Sequence, residues 1–353
     1  MSYRDRANAL LKEIPDNKLI FVINVLENLR GYAGEEVEPD EWDLEMISRA
    51  EVENDGTTVT EDRFTRADMK IIDILKEKKT TVSFEVFPPK TSAGMESVTK
   101  AAEEIAALKP DFMSVTYGAG GGTSEYTVDI ARNIQQNAGV PMLAHLTCVS
   151  SSRDDVRQMI SLYKENGIKN IMALRGDIPE GGRIAFDYDH ATELIADIKE
   201  AGDFCLGGAC YPEGHPEADN RRDDMIFLKQ KADAGLDFLT SQMFFNNDMF
   251  YNFLYRARDI GINVPIIAGI MPITNARMIK RSIALSGAEL PERFRAIIDR
   301  FGSSDEAMKQ AGIIYACEQI IDLLAHDVKH IHIYSMNKPD VAANIWNQLE
   351  LLR

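Results

Sequence analysis

The chain has 353 residues, of which 45% are hydrophobic and 8% aromatic, so it can bury the core of one large domain with a smaller appendage. Its 39 basic and 56 acidic residues give a net charge of −17, which argues against nucleic acid or an anionic membrane as the main partner. The sequence shows no signal peptide, no membrane-spanning apolar run and no CxxC pair among its four cysteines, so we expect a reduced, cytoplasmic protein.

Residues 1–65 differ in composition from the rest of the chain and are predicted to form a separate acidic extension. They contain seven Lys and Arg residues against sixteen Asp and Glu residues, a net charge of −9. Apolar residues at helical spacing from Leu19 to Leu29 predict a helix with a broad apolar face, and the acidic segment Glu35–Asp43 then breaks the pattern. We expect a helical appendage that packs on the main domain or on a neighbouring subunit, with binding of another protein as the alternative.

From residue 66 to residue 353 the sequence alternates between short strand patterns and longer helix patterns. The predicted strands are Val82–Phe87, Phe112–Thr116, Met142–Leu146, Asn170–Leu174, Phe204–Cys210, Phe238–Met243, Val264–Ile270 and His330–Tyr334. The helix patterns include Glu96–Leu108, Glu125–Asn137, Asp154–Asn166, Ala191–Ala201 and Asp219–Ala234, with two or three helices expected before the last strand. Eight such units predict an α/β fold, a (β/α)8 TIM barrel. The alternative is an open doubly wound sheet, but no GxGxxG motif follows the first strand.

A glutamate stands inside the first apolar strand, within the stretch Thr81–Thr91. Alternation places Val82, Phe84 and Val86 on one face of this strand and Glu85 on the other. Two prolines follow at once, so the strand ends close to Glu85. An ionised carboxylate in such a segment is costly unless it is paired, solvated or protonated. The structural alternative is a glutamate held by a buried Arg or Lys.

Polar or ionisable residues stand at the ends of seven of the eight predicted strands. They are Glu85; Thr116 and Tyr117; His145 and Thr147; Arg175 and Asp177; Tyr211, Glu213 and His215; Gln242; and Tyr334. Reacting groups of a TIM barrel lie at these strand ends, so the pattern favours a catalytic rim that includes Glu85. No metal site is predicted, and no Ser-His-Asp or Cys-His order stands out, which favours a flat cofactor such as a flavin over a hydrolase.

Several of these residues also have structural interpretations. His145 is equally compatible with a hydrogen-bonded core histidine. Arg175 either pairs with Asp177 or clamps a phosphate with its planar donor fork. The glycine-rich segment Gly118–Gly122 is either a tight turn or, ahead of a helix start, an anion-binding loop.

Seven sequence blocks resemble the methylenetetrahydrofolate reductase family and occur in the family's order. They are FEVFPPKT, FMSVTYGAGGGT, PMLAHLTC, IMALRGD, ACYPEGHPEA, LKQKADAGLDFLTSQMFF and GIMPIT, within roughly residues 75–353. Such a series is far more specific than a single glycine motif. The resemblance implies a barrel that binds FAD and reduces 5,10-methylenetetrahydrofolate to 5-methyltetrahydrofolate. It also implies that NADH or NADPH reduces the flavin first, in a ping-pong scheme.

The resemblance implies a role for each matching residue. Glu85 is expected to be the general acid that protonates the folate N10. Asp177 is expected to be a second catalytic carboxylate beside the flavin and the pterin, and Gln242 to bind the pterin, so that all three contact the substrate. The FAD contacts are expected at Thr116, His145, Arg175, Asp177, Ala191, Tyr211, His215, Asp224 and Lys231.

Two positions depart from the family pattern. His190 stands where the family often has a tyrosine, which affects one contact on the adenine side. Ser282 stands where some members place a Phe or Leu that stacks on nicotinamide and folate. We therefore expect Ile279 or Ile283 to take this role, or the electron donor to be bound differently. Residues 1–65 have no counterpart in the resemblance.

The resemblance and the composition together predict a homo-oligomeric flavoenzyme of one-carbon metabolism and methionine biosynthesis. Its partners are the folate substrate and the nicotinamide, with no nucleic acid and no membrane, and residues 1–65 are expected to aid subunit association. Two alternatives stay open at this point. One is another flavin-dependent TIM-barrel oxidoreductase, and the other is a non-catalytic barrel that binds folate or a protein partner.

Overall fold

The computed structural model describes residues 66–89, 91–117, 124–178, 182–183 and 185–353, without the side chains of Arg281 and Leu285. The extension 1–65 and the segment Gly118–Gly122 lie outside the described residues, so the predictions for both stay predictions. Over the described part of the chain, no helix is both long and apolar enough to cross a membrane. The four cysteines are free thiols, and all of them are buried.

Eight parallel strands close into a barrel, because each strand pairs with the next in chain order and the last pairs with the first. The strands are β1 Thr81–Val86, β2 Met113–Val115, β3 Met142–Thr147, β4 Asn170–Leu174, β5 Cys205–Cys210, β6 Phe238–Ser241, β7 Ile266–Ile270 and β8 His330–Ile333. The predicted (β/α)8 barrel is confirmed, and the open doubly wound sheet is wrong.

Helices precede, connect and follow the strands of the barrel. They are α1 Ile71–Glu77, α2 Met95–Ala106, α3 Ser124–Asn133, α4 Arg153–Glu165, α5 Ala191–Ala201, α6 Arg221–Asp233, α7 Asn247–Asp259, α8 Ala276–Ser286, α9 Glu292–Phe301, α10 Asp305–Ala325 and α11 Pro339–Gln348. The long connection between β7 and β8 holds α8, α9 and α10, as its length predicted. Local signals fix several ends: Ser152 caps α4 in a capping box with Asp155, and Gly202 follows the last residue of α5.

Two apolar regions lie on either side of the barrel wall. On the outer face, Val82, Phe84 and Val86 are buried against the helices, as the alternation in β1 predicted. The N-terminal end of the barrel interior is filled by a second cluster that includes Ile71, Leu75, Phe112, Leu143, Met172, Phe238 and Ile267. The backbone N–H of Ile71 donates to Asn170 Oδ1 at 2.8 Å, which ties α1 to the start of β4. The opposite, C-terminal end therefore holds the functional cavity.

Candidate active site

One cavity of about 1640 Å³ lies at the C-terminal ends of the strands. It is lined by all the residues that the sequence predicted for catalysis, substrate or cofactor: Glu85, Thr116, His145, Arg175, Asp177, Ala191, Tyr211, His215, Asp224, Lys231 and Gln242. Pockets for one small molecule measure about 300–1,000 Å³, so this cavity has room for a dinucleotide and a second ligand. The structure brings the predicted residues together, while the role of each residue stays a prediction.

Glu85 points from the end of β1 into the cavity, and its surroundings are histidines and a serine. Its Oε2 lies 3.6 Å from His145 Nε2 and 3.9 Å from His332 Nε2. The Ser114 hydroxyl donates to the same oxygen at 3.5 Å. Among the described residues, no Arg or Lys forms an ion pair with Glu85, so the structural alternative of a buried Arg or Lys partner is wrong.

His145 on β3 presents a buried nitrogen to the cavity. Burial lowers the pKa of His145 from 6.5 to about 4, although the nearby Glu85 carboxyl works in the opposite direction. The imidazole is therefore neutral at pH 7. Its Nε2 has no hydrogen-bond partner among the described residues, and an unsatisfied buried polar atom is costly. This observation does not favour the interpretation of His145 as a hydrogen-bonded core histidine, and the free Nε2 fits a ligand atom.

His332 on β8 is a functional candidate that the sequence did not single out. It is almost fully buried and lies against Glu85, with Nδ1 2.8 Å from Ser83 Oγ and Nε2 3.2 Å from Ser114 Oγ. Its ring stacks on Phe112 at 6.1 Å between centroids. The polar strand-end residues predicted from the sequence do not include His332. The signal that could have found His332 is its place at the end of β8, on the face that points into the barrel.

Arg175 is paired with a residue that the sequence did not connect to it. Its Nη1 and Nη2 donate to the two carboxylate oxygens of Glu217 at 2.7 and 2.9 Å, and its Nε donates to the Gly176 carbonyl at 3.0 Å. The Glu217 hydrogen bonds raise the pKa of Arg175 and lower that of Glu217. The alternative in which Arg175 pairs with Asp177 is therefore wrong. Three of the five N–H groups of Arg175 are used in these bonds, so Nη1 and Nη2 each keep one N–H group that can donate to a ligand.

Glu217 also fixes the tautomer of His215 through its backbone. The Glu217 N–H donates to His215 Nδ1 at 3.1 Å, so Nδ1 is an acceptor and carries no proton. Burial lowers the pKa of His215, which keeps the ring neutral with its proton on Nε2. His215 therefore offers a hydrogen-bond donor, and the ring packs edge-on against Tyr211 at 4.5 Å between centroids.

Lys231 and Asp224 place opposite charges on the same wall of the cavity. Lys231 on α6 donates from Nζ to the Ala209 carbonyl, and burial lowers its pKa while Cys210 and Asp224 oppose this shift. Burial also raises the pKa of Asp224. A partly desolvated ammonium interacts strongly with an anion that enters the cavity, because water screens the charges less there. Lys231 and Arg175 are thus suited to the phosphates of a dinucleotide.

Gln242 lies directly after β6 and has one side of its amide engaged by the protein. Its Oε1 accepts from the Met243 N–H at 2.9 Å, and the side chain interacts with Tyr211, where burial raises the pKa of the phenol and the smaller effect of Gln242 lowers it. The carbonyl oxygen keeps a second lone pair, so the amide can still accept and donate towards a ligand. Asp177, which also lines the cavity, is exposed to solvent.

His190 occupies the cavity wall beside Ala191, the first residue of α5. It is the N-cap of this helix, and its ring stacks on Phe227 at 6.5 Å between centroids with an angle of 16°. Both rings line the cavity, and Phe227 is otherwise exposed. An aromatic pair therefore stands where the sequence departs from the family pattern.

The residues through which α8 lines the cavity are not the ones that the sequence predicted. Met278 and Ser282 line the cavity, whereas Ile279 and Ile283 line a separate surface pocket together with Glu213. The expectation that Ile279 or Ile283 takes the stacking role is therefore wrong. Methionines line this part of the cavity instead: Met278 on α8, together with Met243, Met271 and Met336 from other segments. The Ser282 hydroxyl is buried and donates to Met271 Sδ at 3.6 Å.

Known proteins match most of this chain. The family model described as methylenetetrahydrofolate reductase matches residues 70–350. A 5,10-methylenetetrahydrofolate reductase of Pectobacterium carotovorum is 36% identical over 269 residues, 76% of this chain and 89% of that protein. The Escherichia coli protein of the same name is 35% identical and covers 76% of this chain and 90% of its own length. Methylenetetrahydrofolate reductase (NADH) 1 of Arabidopsis thaliana is 35% identical over 80% of this chain, which matches 51% of that protein.

Proposed function

This chain belongs to the methylenetetrahydrofolate reductase family, and we propose that it uses FAD to reduce 5,10-methylenetetrahydrofolate to 5-methyltetrahydrofolate, with NADH or NADPH as electron donor. The family supports the folate reduction and makes the chain an oxidoreductase. The observation that carries the finer proposal is one large cavity that gathers Glu85, Asp177 and Gln242 with two cationic side chains.

The residues present fit a flavin dinucleotide. The cavity has the volume for FAD and a second ring system, and Arg175 and Lys231 supply positive charge for the pyrophosphate. His145 Nε2 is a buried atom without a partner among the described residues, and the neutral His215 offers a donor. When bound, FAD supplies hydride transfer between the nicotinamide and the one-carbon unit of the folate.

Glu85 is the proton donor of the proposed reaction. Protonation of the folate N10 lets the imidazolidine ring open, which exposes a methylene carbon that accepts a hydride. Glu85 is suited to this step because it lies inside the barrel rim, next to a histidine that is neutral at pH 7. Asp177 supports the step electrostatically, since a carboxylate near the pterin stabilises positive charge that develops on the substrate. Gln242 orients the pterin by hydrogen bonds.

The experiment separates the two half-reactions. The purified protein is reduced anaerobically with NADH or NADPH, and the reduced protein is mixed with methylenetetrahydrofolate in a stopped-flow spectrometer. We expect the yellow absorbance of FAD to disappear in the first step and to return in the second. Tetrahydrofolate, which lacks the methylene group, serves as the control and should not restore the colour. Absence of FAD, or no reoxidation by the substrate, would refute the proposed function.

The wider setting is also proposed from the sequence and the family. We propose a cytoplasmic homo-oligomer that works in one-carbon metabolism and methionine biosynthesis, with residues 1–65 as an appendage that aids subunit association. The comparison of NADH with NADPH in the first half-reaction identifies the electron donor.

A further inference from the structure

A chain of hydrogen-bonding side chains leads from Glu85 to His332 inside the barrel. The strand register makes this possible, because Glu85 pairs with Ser114 across β1 and β2, and Ser83 pairs with His332 across β1 and β8. The Ser114 hydroxyl lies 3.5 Å from Glu85 Oε2 and 3.2 Å from His332 Nε2. Ser83, Ser114 and His332 are all almost completely buried.

The contacts assign one proton of His332. The Ser83 hydroxyl donates to the Ile331 carbonyl at 3.1 Å, so its lone pairs are left to accept from His332 Nδ1 at 2.8 Å. Nδ1 therefore carries a proton in either charge state of the ring. Only Nε2 can gain or lose a proton, and this atom faces Ser114 Oγ and Glu85 Oε2.

Two arrangements of one further proton are compatible with these atoms. When the proton is on Glu85, His332 is neutral and the Ser114 hydroxyl donates to Nε2. When the proton is on Nε2, His332 donates to Ser114 Oγ, and the Ser114 hydroxyl turns to the Glu85 carboxylate. Transfer of the proton from His332 to Glu85 breaks the Nε2–H bond and the Ser114 O–H bond and forms a new Ser114 O–H bond and a Glu85 O–H bond, so Ser114 ends with the same number of protons.

On the basis of the proposed folate chemistry, we propose that His332 stores the proton that Glu85 donates and passes it to Glu85 through the Ser114 hydroxyl. His332 is then a positioning residue, because it acts on the substrate only through Glu85. The proton released to the folate N10 leaves Glu85 ionised and His332 neutral. The pair regains its proton from solvent through the cavity, which Glu85 and His332 both line.

The relay matters for the supply of protons to Glu85. A proton shared by two coupled groups is held by the pair, not by either residue alone. A proton held on His332 can therefore reach Glu85 through the Ser114 hydroxyl without first leaving for solvent.

The other titratable groups that face the pair do not compete for this proton. His145, on β3, has its pKa lowered to about 4 by burial and stays neutral. Tyr334, which follows β8 and lies edge-on to the His332 ring at 5.2 Å, has a pKa raised well above its usual value by burial. Tyr334 therefore keeps its own proton, which it donates to the Ser241 carbonyl at 2.7 Å.

The test compares three variants by the pH dependence of each half-reaction. Ser114→Ala cuts the relay with a minimal change of volume, and His332→Asn removes the proton store. His330→Gln is the matched control, because His330 lies two residues earlier on β8, contacts Thr81 Oγ1 at 3.0 Å and does not line the cavity. For both relay variants we expect reoxidation by the folate to be slower than in the wild type at pH 7.5, and the difference to shrink as the pH is lowered, because solvent protons then reach Glu85 through the cavity more often. Reduction by the nicotinamide should be unchanged.

A second measurement does not depend on bound FAD. In protein labelled with ¹⁵N-histidine and freed of FAD, we expect the His332 signals to titrate, and Glu85→Gln to shift that titration while leaving the His330 signals unmoved. If Ser114→Ala keeps the wild-type pH profile, or if Glu85→Gln does not affect the His332 titration, the relay is refuted. If the wild-type protein does not reduce the folate at all, the proposed function fails instead, and the NMR titration alone then decides whether Glu85 and His332 share a proton.

Discussion

The substitution Glu85→Gln tests the proton donor most directly. The amide has nearly the same size and shape as the carboxyl group, so it can keep the contact with Ser114 at 3.5 Å. Its N–H group can also donate to His145 Nε2, which has no partner among the described residues and lies 3.6 Å from Glu85 Oε2. The structure therefore predicts little loss of stability. What the amide cannot do is deliver a proton to the folate N10.

The expected loss of rate follows from the rate acceleration that a general acid usually provides. Loss of general acid catalysis costs about 10²–10⁴-fold in rate, so we expect reoxidation of the reduced protein by methylenetetrahydrofolate to fall at least 10²-fold. This loss corresponds to about 2.7 kcal/mol of activation free energy. The rate of reduction by NADH or NADPH should stay within about twofold of the wild type, because no proton from Glu85 enters that step.

The assay is the stopped-flow measurement of both half-reactions, with urea unfolding to compare the stability of the two proteins. Glu213→Gln is the control, since Glu213 lines the separate surface pocket and its Oε2 accepts from the Glu289 N–H at 3.0 Å. It removes a carboxylate outside the cavity and should leave both rates near the wild type. An equal fall of both half-reactions in Glu85→Gln would show that the residue supports the fold and not the chemistry.

Three further predictions concern the cavity wall, the pH dependence of stability and the extension. Glu217→Gln removes the charged partner that orients the Arg175 guanidinium. A half-exposed ion pair contributes about 1 kcal/mol, so we expect about fivefold weaker FAD binding. Fluorescence titration of the apoprotein measures this affinity. His145 has a pKa of about 4 when folded against 6.5 unfolded, so its contribution to stability is fully present above pH 6.5 and is lost as the pH falls towards 4. Between pH 7 and pH 5 this loss is about 2 kcal/mol in the free energy of unfolding, and in urea titrations His145→Gln should show a correspondingly weaker pH dependence. Deletion of residues 1–65 should leave both half-reactions intact and reduce subunit association, measured by light scattering; loss of flavin reduction in the truncated protein would contradict this.

The sequence was sufficient for the barrel and for the position of Glu85 because both depend on local patterns. Period-two alternation in β1 separates Val82, Phe84 and Val86 from Glu85, and the prolines end the strand close to Glu85. The alternation of short strand patterns and longer helix patterns is equally local. These features need no knowledge of which strand lies beside which, so the prediction from the sequence and the structure agree.

The partners of the predicted residues could not be found in the same way. Arg175 and Glu217 lie on different loops, and their pairing depends on how both loops fold over the cavity. The contact between Glu85 and His332 joins residues about 250 positions apart and follows from the register of β1 with β8. The error at Ile279 and Ile283 has a simpler cause. One residue on a helix corresponds to a rotation of about 100°, so a shift of one position turns a predicted wall residue to another side.

The interior of the barrel changes character from its N-terminal end to its rim. The lower layer contains Phe112 and other apolar side chains, as expected for a TIM barrel, whose interior is usually filled by branched apolar residues. Directly above Phe112, the layer with Ser83, Ser114 and His332 is polar and buried. Apolar side chains would fill this layer without any need for hydrogen-bond partners, so stability does not explain it. A layer that holds a mobile proton beneath Glu85 does explain it, because every member contacts the next and the last contacts the proposed acid.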